Sequence, residues 1–216
     1  MIRIAAFLSL LAAPLGAHPH IFVDTGLEVL VDPEGRVTHL RVTWEYDALY
    51  TLLITEEYGV DQDYDGVFSP ADRAVMTGFD MNWVEGFNGD LEASLGGQPV
   101  ALSGPSEATA DLVDGKLVTT HLRAVAGAVS VRGAVLSLRP YDVTYYTDYQ
   151  VTRPVTVTGA EGCAIERVLP DIDAALARTQ AELAELPADA DAEAMGFPEI
   201  GERFATEVRV TCPAGS

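Results

Sequence analysis

Residues 21–46 read IFVDTGLEVLVDPEGRVTHLRVTWEY, and their pattern is that of two strands joined by a turn. Apolar and polar residues alternate over Ile21–Val31 and again over Val37–Tyr46, which is the two-residue period of half-buried β-strands. Residues 32–35, Asp-Pro-Glu-Gly, place proline and glycine where turns favour them. This stretch therefore predicts a β-hairpin at the start of the folded chain.

The hydrophobic period changes from strand to helix directly after the hairpin. Leu49, Leu52 and Leu53 recur at helical spacing within residues 47–58, and glycine at position 59 is typical of a helix end. We therefore expect a helix that stops at Gly59.

A second helix is expected to begin near Ser69. Serine is a favoured N-cap, and proline, here Pro70, fits the first helical position. The spacing of Val75, Phe79 and Trp83 predicts that they share one face of this helix and pack in the core.

The residues between these two helices have the spacing of an EF-hand calcium loop. Residues 61–72 read DQDYDGVFSPAD, with oxygen-bearing side chains at loop positions 1, 3, 5, 9 and 12 and Gly66 at position 6, where a positive φ is needed. The expected calcium ligands are Asp61, Asp63, Asp65, the carbonyl of Val67, Ser69 and Asp72. The alternative is an acidic surface turn. Asp72 is shorter than the usual glutamate, and the sequence has no second loop of this type.

Further strands and one helix are predicted after Gly89. Apolar runs bounded by turn residues lie at residues 91–95, 100–102, 108–112, 117–124, 135–138, 143–151 and 155–157. Apolar residues at helical spacing from Ile172 to Leu186 predict an amphipathic helix stopped by Pro187. The Ala/Asp/Glu-rich residues 188–194 predict a solvated loop or a frayed helix.

The N-terminus has the organisation of a secretory signal peptide. Arg3 precedes an apolar run over residues 4–15, which ends in small residues. We expect cleavage after Ala17, which leaves residues 18–216 as a single periplasmic domain. A buried N-terminal helix is the alternative. No later segment reaches the ~18 uninterrupted apolar residues of a membrane span, so no membrane insertion of the mature chain is expected.

The chain is strongly acidic. Its 33 Asp and Glu residues against 13 Lys and Arg residues give a formal charge of −20. This balance argues against nucleic acid and anionic membranes as partners, because both require basic patches. It is compatible with cation binding, although solubility alone explains it equally well.

Cys163 and Cys212 are the two cysteines of the chain. An even pair in an exported protein predicts a disulfide, with metal ligation or free thiols as alternatives. Each cysteine lies in or beside a short β-like run. The fold class predicted is therefore α+β: an antiparallel β core, an EF-hand-like helix–loop–helix inserted at residues 47–86, and a C-terminal helix tied by a disulfide.

Several motifs together resemble a known family. They are residues 18–24 (HPHIFVD), 43–47 (TWEYD), the acidic loop, residues 78–80 (GFD), residues 141–146 (YDVTYY) and the two cysteines. The combination resembles the exported bacterial family called domain of unknown function 1007, over essentially the whole mature chain. That family is sometimes labelled a periplasmic component of an uncharacterised ABC-type transport system, and it resembles partners of nickel, cobalt or zinc transporters. The resemblance implies periplasmic metal handling, with an inner-membrane metal transporter as the expected partner.

The mature N-terminus is a candidate transition-metal site. After cleavage the α-amine and the ring of His18 can chelate one cation, and His20 or the distant His121 can add a third nitrogen. Such a set fits copper, nickel, cobalt or zinc. Two exposed histidines at a frayed terminus are the alternative.

A tyrosine-rich and acidic stretch is a second candidate site. If residues 141–149 form a strand, its aromatic and acidic side chains alternate between the two faces. One interpretation is packing of tyrosines on a sheet. The other is the wall of a ligand or metal pocket, formed by Trp44, Tyr46, Asp47, Tyr141, Asp142 and Tyr145.

No enzyme motif is present in the sequence. It contains no nucleophile elbow, phosphate-binding loop, dinucleotide fingerprint or His-Glu-x-x-His motif. We expect no catalytic residues and predict a periplasmic metal-binding accessory protein of transition-metal transport with one calcium site. The alternatives are a calcium-stabilised binding module, or the substrate-binding component of an ABC transporter, without transition-metal traffic.

Overall fold

The computed structural model describes residues 19–187 and 199–214. The predicted signal peptide, His18 and the predicted loop at 188–194 lie outside these ranges. The described chain forms an α+β fold. Its strands are β1 (Ile21–Val31), β2 (Arg36–Tyr46), β3 (Leu91–Leu95), β4 (Gln98–Pro99), β5 (Ser106–Val113), β6 (Lys116–Ser130), β7 (Val135–Pro140), β8 (Thr147–Gln150), β9 (Val155–Thr158), β10 (Ala164–Val168) and β11 (Glu207–Thr211). Its helices are α1 (Ala48–Tyr58), α2 (Pro70–Met76) and α3 (Ile172–Ala184), and a short 3₁₀ helix spans Gly201–Phe204.

The predicted hairpin is confirmed and lies at the centre of the first sheet. Strands β1 and β2 pair antiparallel, with Val23 opposite Tyr46 and Thr25 opposite Trp44. The order of the sheet is β5-β6-β2-β1-β8, with β9 also on β1. Strands β8 and β9 run parallel to β1, so the first sheet is not antiparallel throughout.

The second sheet has the order β10-β11-β7-β3-β4 and is antiparallel. Its inner residues Leu136, Leu138, Val208 and Val210 are at most 1% exposed. They belong to the same hydrophobic core as the inner residues of β1 and β2. The main core therefore lies between the two sheets.

Helix α1 has the predicted bounds but not an apolar buried face. Leu49, Leu52 and Leu53 are 65%, 49% and 58% exposed, whereas Thr51 and Thr55 are buried. The hydroxyl of Thr51 accepts a 3.0 Å hydrogen bond from the backbone N–H of Leu117. This polar contact with the start of β6 fixes the buried side of the helix.

Helix α2 begins as predicted but is shorter than predicted. Ser69 is its N-cap and Pro70 its first residue, yet the helix ends at Met76. Met76 is fully buried, and Val75 is 52% exposed. Phe79 and Trp83 lie beyond the helix and are partly buried against the core. The prediction that Val75, Phe79 and Trp83 share one helical face is therefore wrong, because the helix stops before the spacing applies.

The predicted disulfide is confirmed. Cys163 and Cys212 are bonded, with their Cα atoms 4.1 Å apart. The bond lies beside the antiparallel pair β10 and β11, in which Ala164 is opposite Thr211. Helix α3 lies within the loop of 49 residues that the bond closes. A structural disulfide is typical of exported proteins.

No helix within residues 19–187 and 199–214 is both long and apolar enough to cross a membrane.

Candidate metal centre

Asp47 holds the helix that leads into the acidic loop. One of its carboxylate oxygens accepts hydrogen bonds from the N–H groups of Leu49 and Tyr50, at 2.8 and 2.9 Å, which caps the first turn of α1. The other accepts a 3.0 Å bond from the N–H of Phe22. The Asp47 side chain is thus used to fix α1 on β1, and it is not part of a pocket with the tyrosines.

Three aspartates of the loop point toward a common centre. One carboxylate oxygen each from Asp61, Asp63 and Asp65 lie within 4.8 Å of one another. Gly66 has φ 76°, and its N–H donates a 3.2 Å bond to Asp61 Oδ1. A Cβ at Gly66 would contact nothing within 4 Å, so glycine is needed there for its backbone conformation rather than for space.

The exit of the loop is fixed by the start of α2. Asp72 N–H donates to Ser69 Oγ at 3.2 Å, and Ser69 N–H donates to Asp72 Oδ2 at 2.9 Å, forming a capping box. Within the described chain, Asp72 Oδ1 has no protein donor. Phe68 is 1% exposed and anchors the loop in the core.

The remaining expected ligands line a surface depression beside the three aspartates. Its volume is about 430 Å³, and its lining includes Asp63, Asp65, Val67, Ser69 and Asp72. Asp61 joins them through its approach to Asp63 and Asp65. The structure therefore brings all six residues of the expected calcium set to one place.

The electrostatics of the loop favour a divalent cation. Residues 59–72 contain four aspartates and no lysine, arginine or histidine. Like charges held this close repel one another, and a bound cation would remove that repulsion. Carboxylate, hydroxyl and carbonyl oxygens are the ligands of hard cations such as Ca²⁺.

The predicted histidine set is not assembled in the structure. His20 is exposed, and its ring lies 4.8 Å from the ring of Tyr146. His121 is 0% exposed and lies between the indoles of Trp44 and Trp83, at 4.7 and 5.4 Å between ring centroids. The alternation of β6 turns His121 into the core, so the structure gives no support to His121 as an alternative to His20 for the third nitrogen. His18 lies outside the described residues.

The predicted aromatic and acidic wall is divided among separate environments. Residues 141–146 do not form a strand: the Asp142 carboxylate accepts from the N–H groups of Thr144 and Thr147 and closes a turn. Tyr145 has φ 60° and stacks on Phe204 at 4.1 Å. Tyr141 lies beside the guanidinium of Arg139.

The two remaining members of that wall point into the core. Trp44 and Tyr46 are 4% and 6% exposed. The Tyr46 hydroxyl donates a 2.8 Å hydrogen bond to Asp80 Oδ2, which also accepts from the Thr119 hydroxyl at 2.8 Å. These residues therefore do not lie together as the pocket interpretation requires, because a local turn removes Tyr141, Asp142 and Tyr145 from a strand.

A buried polar network lies beside the inner residues of β6. Burial raises the pKa of Asp80, and it raises the pKa of Asp90 to about 7. Burial, with Arg123 nearby, lowers the pKa of His121 to about 3, so this ring is neutral at physiological pH. Among described residues, Asp80 Oδ1 and both ring nitrogens of His121 are enclosed without a hydrogen-bond partner.

The sequence held one weak signal for this network. Thr119, His121 and Arg123 occupy alternate positions of a predicted strand, so they share a face. Binary patterning assigns such a polar face to solvent, and the opposite face, with Val118, to the core. In the structure Thr119, His121 and Arg123 face inward and are at most 2% exposed, whereas Val118 is half-buried.

Comparison with known proteins supports a family but no activity. A family model described as "Protein of unknown function (DUF1007)" matches residues 3–212. No curated protein matches the chain. The matched region includes both sheets, the acidic loop and both cysteines. The chain therefore belongs to the DUF1007 family of proteins of unknown function.

Proposed function

We propose that this protein is a calcium-stabilised periplasmic domain whose EF-hand-like loop binds one Ca²⁺ between α1 and α2. The carboxylates of Asp61, Asp63 and Asp65, within 4.8 Å of one another, are the observation that carries the proposal. The Val67 carbonyl, Ser69 and the second oxygen of Asp72 complete an all-oxygen set.

Several features of the loop support calcium over an unliganded acidic turn. The loop is bounded by two capped helices, and Phe68 fixes it in the core. Gly66 donates its N–H to Asp61 Oδ1, which helps to orient the first aspartate of the loop. An isolated loop with aspartate in its last position is expected to bind weakly, in the range of about 10⁻⁴ to 10⁻³ M used by extracellular calcium modules.

The role proposed for calcium is structural. The cation would join the end of α1 to the start of α2 and so hold in place residues 77–90, which cover the buried polar network. Occupation at 100 times the dissociation constant would add roughly 2.7 kcal/mol to the free energy of unfolding.

Thermal unfolding with calcium and with a chelator tests the proposal. Calcium should raise the melting temperature of the wild type, and the double variant Asp61→Asn/Asp65→Asn should lose this increase. The matched control is Asp114→Asn/Glu161→Gln, which removes two charges from exposed residues outside the loop and should keep the increase. Equal melting temperatures of the wild type with calcium and with chelator would refute calcium binding.

Transition-metal delivery and a role in an ABC transporter remain predictions. The family match gives no activity, substrate or partner. Among the described residues, one group of three or more close His, Cys, Asp or Glu side chains is found, and it is Asp61, Asp63 and Asp65 of the acidic loop. This group contains no histidine. The calcium-stabilised module is therefore the function that the geometry supports best.

A further inference from the structure

An open cleft lies between the two sheets, away from the acidic loop. Its volume is about 570 Å³, within the usual range for small-molecule sites. Leu91, Ala93, Pro99, Val100 and Leu102 give it apolar walls. The side chain of Arg123, from the inner face of β6, lines the same cleft.

Arg123 is a buried cation without an anionic partner. It is 2% exposed, and no carboxylate of the described residues lies within ion-pair distance of its guanidinium. Burial lowers its pKa to about 10, so it keeps its charge at neutral pH. Burying a charge without a counter-charge costs folding free energy. None of the 33 acidic residues of the chain is seen to pair with Arg123 in the described structure.

The guanidinium is fixed on one side and accessible on the other. Nε donates to the carbonyl of Ser103, and Nη1 donates to the carbonyl of Asn88 at 3.0 Å. The guanidinium carbon lies 4.7 Å from the centre of the Trp83 ring. Nη2 donates to no described protein atom. It is also not fully enclosed by protein, unlike the buried polar atoms that lack a partner. This nitrogen is therefore available to a ligand in the cleft.

The other charges of the cleft do not neutralise Arg123. Its charged lining residues are Arg123, Arg139 and Glu92, and Arg139 is paired with Glu92 and with Glu202. Arg123 is thus the one charged lining residue that has no partner of opposite charge among the described residues, on a protein with a net charge of −20. One negative charge on a ligand would balance it.

We propose that this cleft binds a small organic monocarboxylate, with the carboxylate at Arg123 and the apolar body of the ligand against Leu91 and Val100. Charge-assisted hydrogen bonds from a guanidinium fit a carboxylate well, and the apolar walls provide contact area for the rest of the ligand. The cleft shares no residue with the calcium loop, but Trp83 and Asn88, which fix Arg123, belong to residues 77–90 that calcium is proposed to hold, so binding is measured on calcium-saturated protein.

The experiment compares carboxylates with their neutral amides by isothermal titration calorimetry on calcium-saturated protein. The probes are phenylacetate with phenylacetamide, and hexanoate with hexanamide. At least one carboxylate should bind about tenfold or more tightly than its amide, as expected for a charge-assisted hydrogen bond to a guanidinium. Failure of both carboxylates to bind, or equal affinity for carboxylate and amide, would overturn the proposal.

Two variants locate the binding. Arg123→Met keeps the length of the apolar stem, removes the charge and should reduce carboxylate affinity by about tenfold or more while leaving amide binding unchanged. Ala101→Trp fills the cleft from an exposed position that does not contact the guanidinium in this structure, and it should abolish binding of both probes. Melting temperatures confirm that both variants are folded. Undiminished carboxylate binding by folded Arg123→Met would show that Arg123 is not the anion site.

Discussion

Asp90 should make the stability of this protein decrease as the pH rises from about 4 to about 8, because its carboxyl is largely removed from solvent. Asp90 precedes β3 and has a left-handed backbone, with φ 50°. Burial raises the pKa of its carboxyl from 3.8 to about 7, and the negative charge of Asp142 acts in the same direction. The Tyr149 hydroxyl, which donates a 2.9 Å hydrogen bond to Asp90, acts against this shift.

The sign of the effect follows from the proton counts of the two states. In the unfolded chain an aspartate ionises near pH 3.9. Between that pH and about 7 the folded protein keeps a proton on Asp90 that the unfolded chain has lost. Because the folded state binds more protons, the free energy of unfolding falls as the pH rises through this window, and the loss is complete above it.

The size of the effect follows from the same pKa shift. A rise from 3.8 to about 7 corresponds to at most roughly 4 kcal/mol, at 1.36 kcal/mol for each pKa unit. Roughly 3 kcal/mol of this falls between pH 4.5 and pH 8. Partial contact of Asp90 with solvent reduces the value, so we expect a measured change of at least about 1 kcal/mol.

Urea unfolding of wild type and Asp90→Asn across this pH range, with calcium saturating, measures the effect. Asparagine cannot ionise and tolerates the left-handed backbone, so the variant should gain stability relative to wild type as the pH rises. Asp114→Asn is the matched control, since Asp114 is exposed and has φ 51°. If the difference between Asp90→Asn and wild type is the same at every pH, burial does not suppress the ionisation of Asp90 and the reasoning is wrong.

Two further predictions concern how the chain ends are held. Gly201→Ala would place a Cβ 1.7 Å from the carbonyl oxygen of Asp142, so it should destabilise the fold by about 1–3 kcal/mol. The control is Gly104→Ala, which should change stability by less than about 0.5 kcal/mol because a Cβ there meets nothing within 4 Å. Similar urea midpoints for both variants would contradict the close contact. Replacing Cys163 and Cys212 by serine opens a loop of 49 residues and should lower the free energy of unfolding by roughly 4 kcal/mol through chain entropy. Urea unfolding of the variant and the wild type measures this loss, and a loss below about 1 kcal/mol would contradict it.

The sequence by itself determined those features that depend on near neighbours. The β1–β2 hairpin follows from a two-residue period and a turn containing Pro33 and Gly35. The ends of α1 and the start of α2 follow from Gly59 and Ser69, whose effects act within one helical turn. The six residues proposed for calcium lie in one contiguous stretch, so their spacing alone brought them together. The disulfide was predictable because the chain has two cysteines.

The tertiary structure alone decided which faces are buried. The leucines of α1 predicted an apolar buried side, but a hydrogen bond between Thr51 and the backbone of β6 turned that side outward. The strand expected at residues 143–151 was reduced to β8, because the Asp142 carboxylate satisfies backbone N–H groups that a strand would have paired.

The buried network is the clearest case of such a tertiary decision. Alternation places Thr119, His121 and Arg123 on one face of β6 but does not reveal whether that face lies inside. Asp80 accepts a hydrogen bond from Thr119, and the backbone carbonyls of Ser103 and Asn88 accept from Arg123. Partners from other parts of the chain thus make an inward polar face acceptable. The free energy of burying a polar group depends on partners that only the folded chain brings near it, so a local pattern could not reveal which face of β6 would be inside.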